Sequence, residues 1–185
     1  VDVDRLIKEI IDAKKNKKPY LFKNILPSVP KWENFIDHLN SEYHNTEVKY
    51  HALDATREKF VNGVLFKDPF YVNITYPTKE FYPEIEIFFK EFELLGEGKP
   101  LAAYVNFAKE PPSRQHVDSK DHFYWQCIGT TLWEFEDISY VLNPGDVIFI
   151  PNYTKHNVIT TEPRAAIQFE YKLNFNRLEE TLLQG

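Results

Sequence analysis

The chain lacks several things, and each absence narrows what it can be. There is one cysteine, Cys127, so no internal disulfide can form. Its place in an apolar strand reads as a small buried hydrophobe, and a lone thiol suits a reducing, cytoplasmic setting. No apolar run approaches the roughly 20 residues needed to span a bilayer, so no membrane association is expected. No signal-peptide pattern is present. No long basic block occurs either, and the formal net charge is −6. A nucleic-acid backbone is therefore not expected as the main partner. There is no methionine, so Val1 is not a translation start and residues ahead of it are expected. Repeats, low-complexity tracts and linkers are missing as well. A single domain over residues 1–185 follows, with a helical and strand part over 1–99 and a core over 100–172.

Aromatic residues are abundant: 15 Phe, 11 Tyr and 3 Trp. They favour strands and line pockets. Their density in the N-terminal half exceeds what one small core needs, and a homodimer is expected.

Apolar spacing predicts a helix from Asp4 to about Lys15, on the stripe Leu6, Ile7, Ile10, Ile11 and Ala13. The lysines at 14, 15, 17 and 18 read as its solvated end. A strand Tyr20 to Phe22 follows Pro19. Trp32, Phe35, Ile36, Leu39 and Tyr43 predict a second helix over about 31–43. Strands are expected over 48–52, 60–66 and 70–76. A third helix, about Lys79 to Leu95, has Pro83 in its first turns, and Gly96-Glu97-Gly98 breaks the chain after it. Beyond Pro100 about eight short strands read as a sandwich or barrel, with a short C-terminal helix from Asn176 to Leu183.

The chemistry is concentrated between His116 and His156. His116 and Asp118 stand at i and i+2, so on a strand they share a face and can offer one metal an imidazole and a carboxylate. His156 follows the apolar strand Val147 to Ile150 and is placed to supply the third ligand. Two histidines and a carboxylate suit a non-haem Fe(II) site with about three open positions. A single His-x-Asp is commonplace. The order His-x-Asp, glycine-turned hairpin, Pro144-Gly145-Asp146 strand and second histidine is more specific. Alternation places His122, Tyr124 and Gln126 on one face of their strand and Phe123, Trp125 and Cys127 on the other.

These motifs resemble the core of the JmjC and cupin-like 2-oxoglutarate oxygenases, in particular the asparaginyl-hydroxylase and ribosomal-oxygenase kind. The resemblance rests on His116-Val117-Asp118, Phe123 to Gly129, Thr131 to Phe135, Pro144-Gly145-Asp146 and His156, and it extends back to Lys18 to Lys23. It implies a mainly β fold, the double-stranded β-helix or jelly roll of cupins, with N-terminal and peripheral helices. It implies an Fe(II)- and 2-oxoglutarate-dependent dioxygenase, a hydroxylase whose prime substrate is a protein or small molecule. His122 matches a co-substrate-binding Asn. Ser113 matches a residue that helps hold the distal carboxylate of 2-oxoglutarate, and Gln168 matches an Asn facing the metal. Tyr124 reads equally as pocket or barrel core.

One position departs from the pattern. Fifteen residues after the first metal histidine the family carries Lys or Arg, which pairs with the distal carboxylate; here the residue is Thr131. A hydroxyl hydrogen-bonds a carboxylate without neutralising it. Other such oxygenases place their cation about ten residues after the distal histidine, and Arg164 stands eight after His156. Its bland reading is a surface arginine in the Thr161 to Arg164 turn. Two alternatives stay open: a cupin-type metalloprotein that does not use 2-oxoglutarate, and a non-catalytic jelly-roll binding module. The first usually has more histidines than this chain sets near the site.

Overall fold

The structure is a computed structural model describing residues 3–26, 28–40, 48–51, 71–75, 77–106 and 115–184. Its helices are α1 (Val3–Asn16), α2 (Trp32–Asn40), α3 (Glu84–Glu91) and α4 (Phe175–Gln184). Its strands are β1 (Tyr20–Phe22), β2 (Val48–His51), β3 (Tyr71–Thr75), β4 (Gly96–Asn106), β5 (Asp121–Ile128), β6 (Thr131–Phe135), β7 (Ser139–Leu142), β8 (Val147–Ile150), β9 (His156–Thr160) and β10 (Arg164–Leu173). The strand expected over 60–66 lies outside the described residues.

Two antiparallel sheets form a mainly β jelly roll. The larger has the order β1-β8-β5-β10-β4-β3-β2 and the smaller β7-β6-β9. N-terminal β1 thus joins the large sheet through β8, with Tyr20 opposite Phe149. Alternation gives the large sheet two buried faces. Phe123, Trp125, Cys127, Phe149 and Phe169 pack against helix residues Ile7, Ile10, Phe35 and Phe88 and against Phe92, just after α3. Phe88 stacks on Phe169 with centroids 3.8 Å apart. The other face, with Tyr124, Ile148, Ile150 and Ala166, meets Trp133 and Leu142 of the small sheet. This second face is the barrel interior. The aromatic side chains of α2 and α3 are therefore used largely inside the fold.

Two expectations are corrected. The third helix is shorter than 79–95: Pro83 caps α3 instead of lying within it, and Glu93–Leu95 is a separate 3-10 turn. A proline lacks the N–H an interior position needs, so the helix starts after it. Nor does Gly96 to Gly98 break the chain. These residues open β4, paired with Leu173 to Tyr171 of β10. At Gly98 the Tyr171 ring lies 2.3 Å from where a Cβ would stand, so the missing side chain admits the ring.

The Pro-Gly-Asp turn has a structural task. Buried Asp146 accepts Asn24 N–H at 2.8 Å and Asn143 N–H at 2.9 Å, tying the β7–β8 turn to the turn after β1. Gly145 takes φ +93°, a left-handed conformation that glycine adopts without a steric penalty.

Candidate metal centre

Strand β9 begins at His156, opposite Phe135 in β6. Across from it runs the His-x-Asp segment, which is an isolated bridge rather than a strand. His116 N–H donates to His156 O at 2.9 Å and His156 N–H to His116 O at 3.0 Å. This pairing sets the two imidazoles side by side, centroids 4.4 Å apart. The carboxylate of Asp118 completes the group, and one ligand atom from each of the three residues lies within 4.8 Å of the others. His156 Nε2 is 3.7 Å from Asp118 Oδ2.

The donor chemistry fits a divalent metal. Nδ1 of His156 faces Thr154 O at 2.9 Å, and because a carbonyl only accepts, Nδ1 carries the proton. Nε2 is left with its lone pair aimed at the site, as in metal-binding histidines whose other ring N–H is held by a backbone carbonyl. Burial lowers the pKa of His156, so the ring is neutral at pH 7. His116 and half-buried Asp118 open to solvent.

A third histidine lies close by, against the expectation that no more would. His122 is buried at the start of β5, its Nδ1 3.5 Å from Asp118 Oδ2. Burial lowers its pKa, while Asp118 pulls the other way. The i, i+4 spacing of Asp118 and His122 concealed this contact, because the chain turns between them.

The barrel interior leads inward from the metal ligands. Trp133 stacks over His156 at 5.4 Å, and Tyr124 meets Trp133 edge-on at 4.6 Å. Tyr124 Oη accepts a hydrogen bond from Arg164 Nη1. The guanidinium lies 5.8 Å from the centroid of the Tyr104 ring, and Tyr104 Oη donates to Gln168 Oε1 at 2.7 Å. Arg164 is 5% exposed and, among the described residues, is the only buried Lys or Arg. The surface-turn reading of Arg164 therefore fails. β10 begins at this residue and its side chain turns inward.

Thr131 is buried too, but its hydroxyl is already engaged. It donates to Gln126 Oε1 at 2.9 Å and accepts from Trp133 Nε1 at 3.2 Å. Gln126 Nε2 donates in turn to Ile128 O and Gly129 O. With its single proton committed, Thr131 positions Trp133 and has none to give a carboxylate. Gln168 lies opposite Tyr124 in the β5–β10 register, facing the interior. Ser113 lies outside the described residues. Sequence reasoning missed Tyr104, whose only sequence signal is its alternation with Ala102 and Asn106 in β4. It also missed Lys14, Asp121 and Asn152, which gave no signal at all.

No family model matches the chain, and no curated protein matches it in sequence. Solved structures do match it. The Escherichia coli ribosomal oxygenase YcfD in complex with cobalt and 2-oxoglutarate aligns at TM-score 0.60 and 17% identity, over 96% of this chain and 55% of that one. Its complex with cobalt and succinic acid aligns at TM-score 0.60 and 16% identity, with the same coverage. A further structure of E. coli ycfD gives TM-score 0.61 at 13% identity, over 96% and 57%. This chain spans about half the length of those it matches. At such identity the likeness establishes the fold alone, the jelly roll that those structures share with this chain. Among the described residues no helix is long and apolar enough to cross a membrane.

Proposed function

We propose that this chain is an Fe(II)- and 2-oxoglutarate-dependent oxygenase that hydroxylates a C–H bond of a protein or small-molecule substrate. The observation that carries the reading is the convergence of His116, Asp118 and His156 at the mouth of a jelly roll whose interior holds a buried arginine. Fe(II) and 2-oxoglutarate, when bound, supply oxygen activation coupled to oxidative decarboxylation. The residues supply the rest. His116, His156 Nε2 and the Asp118 carboxylate hold the metal. His122 steadies Asp118 from the side. Arg164, with the Tyr124 phenol beside it, holds the distal carboxylate, an anion that a planar fork of N–H donors recognises well. Tyr104 and Gln168 fix the wall behind it, and Trp133 covers His156 and keeps water from the interior. The YcfD complexes with cobalt and with 2-oxoglutarate or succinic acid support the reading, because they pair a divalent metal and this co-substrate with the same fold.

A second reading has one specific observation in its favour. His122, with Nδ1 3.5 Å from Asp118 Oδ2, brings a third histidine beside the ligand group, and a cupin-type metalloprotein that does not use 2-oxoglutarate usually has such extra histidines. One assay separates the two. Purified chain is given Fe(II), ascorbate and 2-oxoglutarate in air, and succinate is quantified without prime substrate. Slow uncoupled succinate formation, lost in His116→Ala, is expected. Metal binding without succinate selects the second reading.

A further inference from the structure

The last turn of α1 reaches the metal-bearing loops through one side chain. Lys14 Nζ donates to Asp121 Oδ1 at 2.5 Å and to Asn152 Oδ1 at 2.7 Å. The same Asp121 oxygen accepts Asn152 N–H at 2.8 Å. The next residue, Tyr153, takes φ +59°, and its N–H donates to Asp118 O at 2.7 Å. A bulky residue in the left-handed region is uncommon and persists where its surroundings hold it. Asp121 follows Asp118 by three residues and Asn152 precedes His156 by four. One lysine therefore clamps together the two segments that carry the carboxylate and the distal imidazole.

Neither segment is a strand: 117–120 and 151–155 have no ladder to fix them. The His116–His156 bridge and the Tyr153 N–H to Asp118 O bond join them through the backbone, and the Lys14 set adds the side-chain tie between Asp121 and Asn152. The Lys14 and Asp121 side chains are 22% and 11% exposed, so their attraction is less screened than at an open surface. The neighbouring Lys15–Glu179 pair, at 3.6 Å with both side chains more than half exposed, is of the weak surface kind.

We infer that Lys14, Asp121 and Asn152 form a positioning set for the metal centre: without touching the ion, they hold Asp118 and His156 at the separation it requires. The inference rests on the reading of His116, Asp118 and His156 as metal ligands. Outer groups that orient ligands typically change metal affinity ten- to a hundredfold when removed, because the ordering they provide must otherwise be supplied on binding.

The test is titration of Co(II) into the full chain, followed by visible absorption, with the melting temperature of the metal-free protein measured alongside. Lys14→Met is expected to weaken Co(II) binding tenfold or more and to alter the absorption at saturation. Lys14→Arg restores most of both, and Lys15→Met changes neither. Should Lys14→Met not fold, Asn152→Ala removes one arm of the clamp only and is expected to weaken binding several-fold. Wild-type affinity and spectrum in a folded Lys14→Met or Asn152→Ala protein would overturn the inference, as would an equal loss in Lys15→Met. His116→Ala separates the two levels. Wild-type chain that takes no Co(II) defeats the metal reading itself. Chain that binds it, loses it in His116→Ala and keeps it in Lys14→Met defeats only the clamp.

Discussion

Replacing Arg164 by methionine removes a guanidinium that is 5% exposed and donates to Tyr124 Oη, while keeping much of its volume. If that group holds the distal carboxylate of 2-oxoglutarate, the loss can be bounded. A full charge pair about 4 Å apart at an effective dielectric of about 20 is worth roughly 4 kcal/mol, which sets the ceiling. A charge-assisted hydrogen bond nets about 1.5–3 kcal/mol, or roughly 10- to 150-fold in affinity. Arg164→Lys retains the charge without the fork and should fall between. Tyr124→Phe removes one neutral hydrogen bond, worth about 0.5–1.5 kcal/mol, and should weaken binding roughly two- to tenfold. The assay is calorimetric titration of 2-oxoglutarate into Mn(II)-loaded chain, with Mn(II) affinity measured separately. Mn(II) affinity should stay at the wild-type value, since Arg164 is not among the metal-ligating group. Unchanged 2-oxoglutarate affinity in Arg164→Met refutes the assignment. A parallel loss of Mn(II) would mean that the substitution disturbed the barrel rather than the anchor.

Other consequences are open to direct measurement. His116→Ala and Asp118→Ala should each abolish Co(II) absorption while leaving far-UV circular dichroism unchanged, because the His-x-Asp segment belongs to no ladder. His38 is buried, stacked on Phe81 at 4.2 Å and bonded to Tyr82 Oη, and desolvation lowers its pKa to about 4. The unfolded chain takes up that proton first, so stability is complete above pH 6.5 and falls as pH drops toward 4. By linkage the loss is on the order of 2–3 kcal/mol, and urea unfolding at pH 7.5 and 4.5 should show it diminished in His38→Phe. Gly129→Ala should destabilise by about 1–3 kcal/mol in the same assay. Its φ is +66° and a Cβ would stand 2.2 Å from Pro163 O.

Much of the fold was legible because it is written in short-range pattern. The limits of β8 and β9 follow from an apolar run and a proline turn, and the two faces of β5 follow from period-2 alternation, since Phe123 and Trp125 meet the helices while Tyr124 meets Trp133. What pattern could not give was the outcome of competition between local signals and packing. Gly96 and Gly98 look like a break, yet the sheet accepts them because Tyr171 needs the room that Gly98 leaves. Pro83 is tolerated early in a helix, but here it defines where the helix begins.

The site divides along the same line. Ligand types and order are sequence properties, so His116, Asp118 and His156 could be named before any geometry was known. Burial of a long side chain is a tertiary property. From sequence Arg164 reads either as the carboxylate anchor or as the surface end of a turn, and Lys14 as a solvated helix terminus; both have stems long enough to reach partners that sequence spacing does not reveal. Thr131 connects the two cases. Where the resemblance to 2-oxoglutarate oxygenases leads one to expect a cation, this chain has a hydroxyl bonded to Gln126 and Trp133. A second buried cation in the same small interior as Arg164 would be expensive unless an anion accompanied both. If the proposed function holds, the hydroxyl at Thr131 and the burial of Arg164 form one arrangement: a single cation at the start of β10, with a neutral hydrogen-bonded network around Thr131.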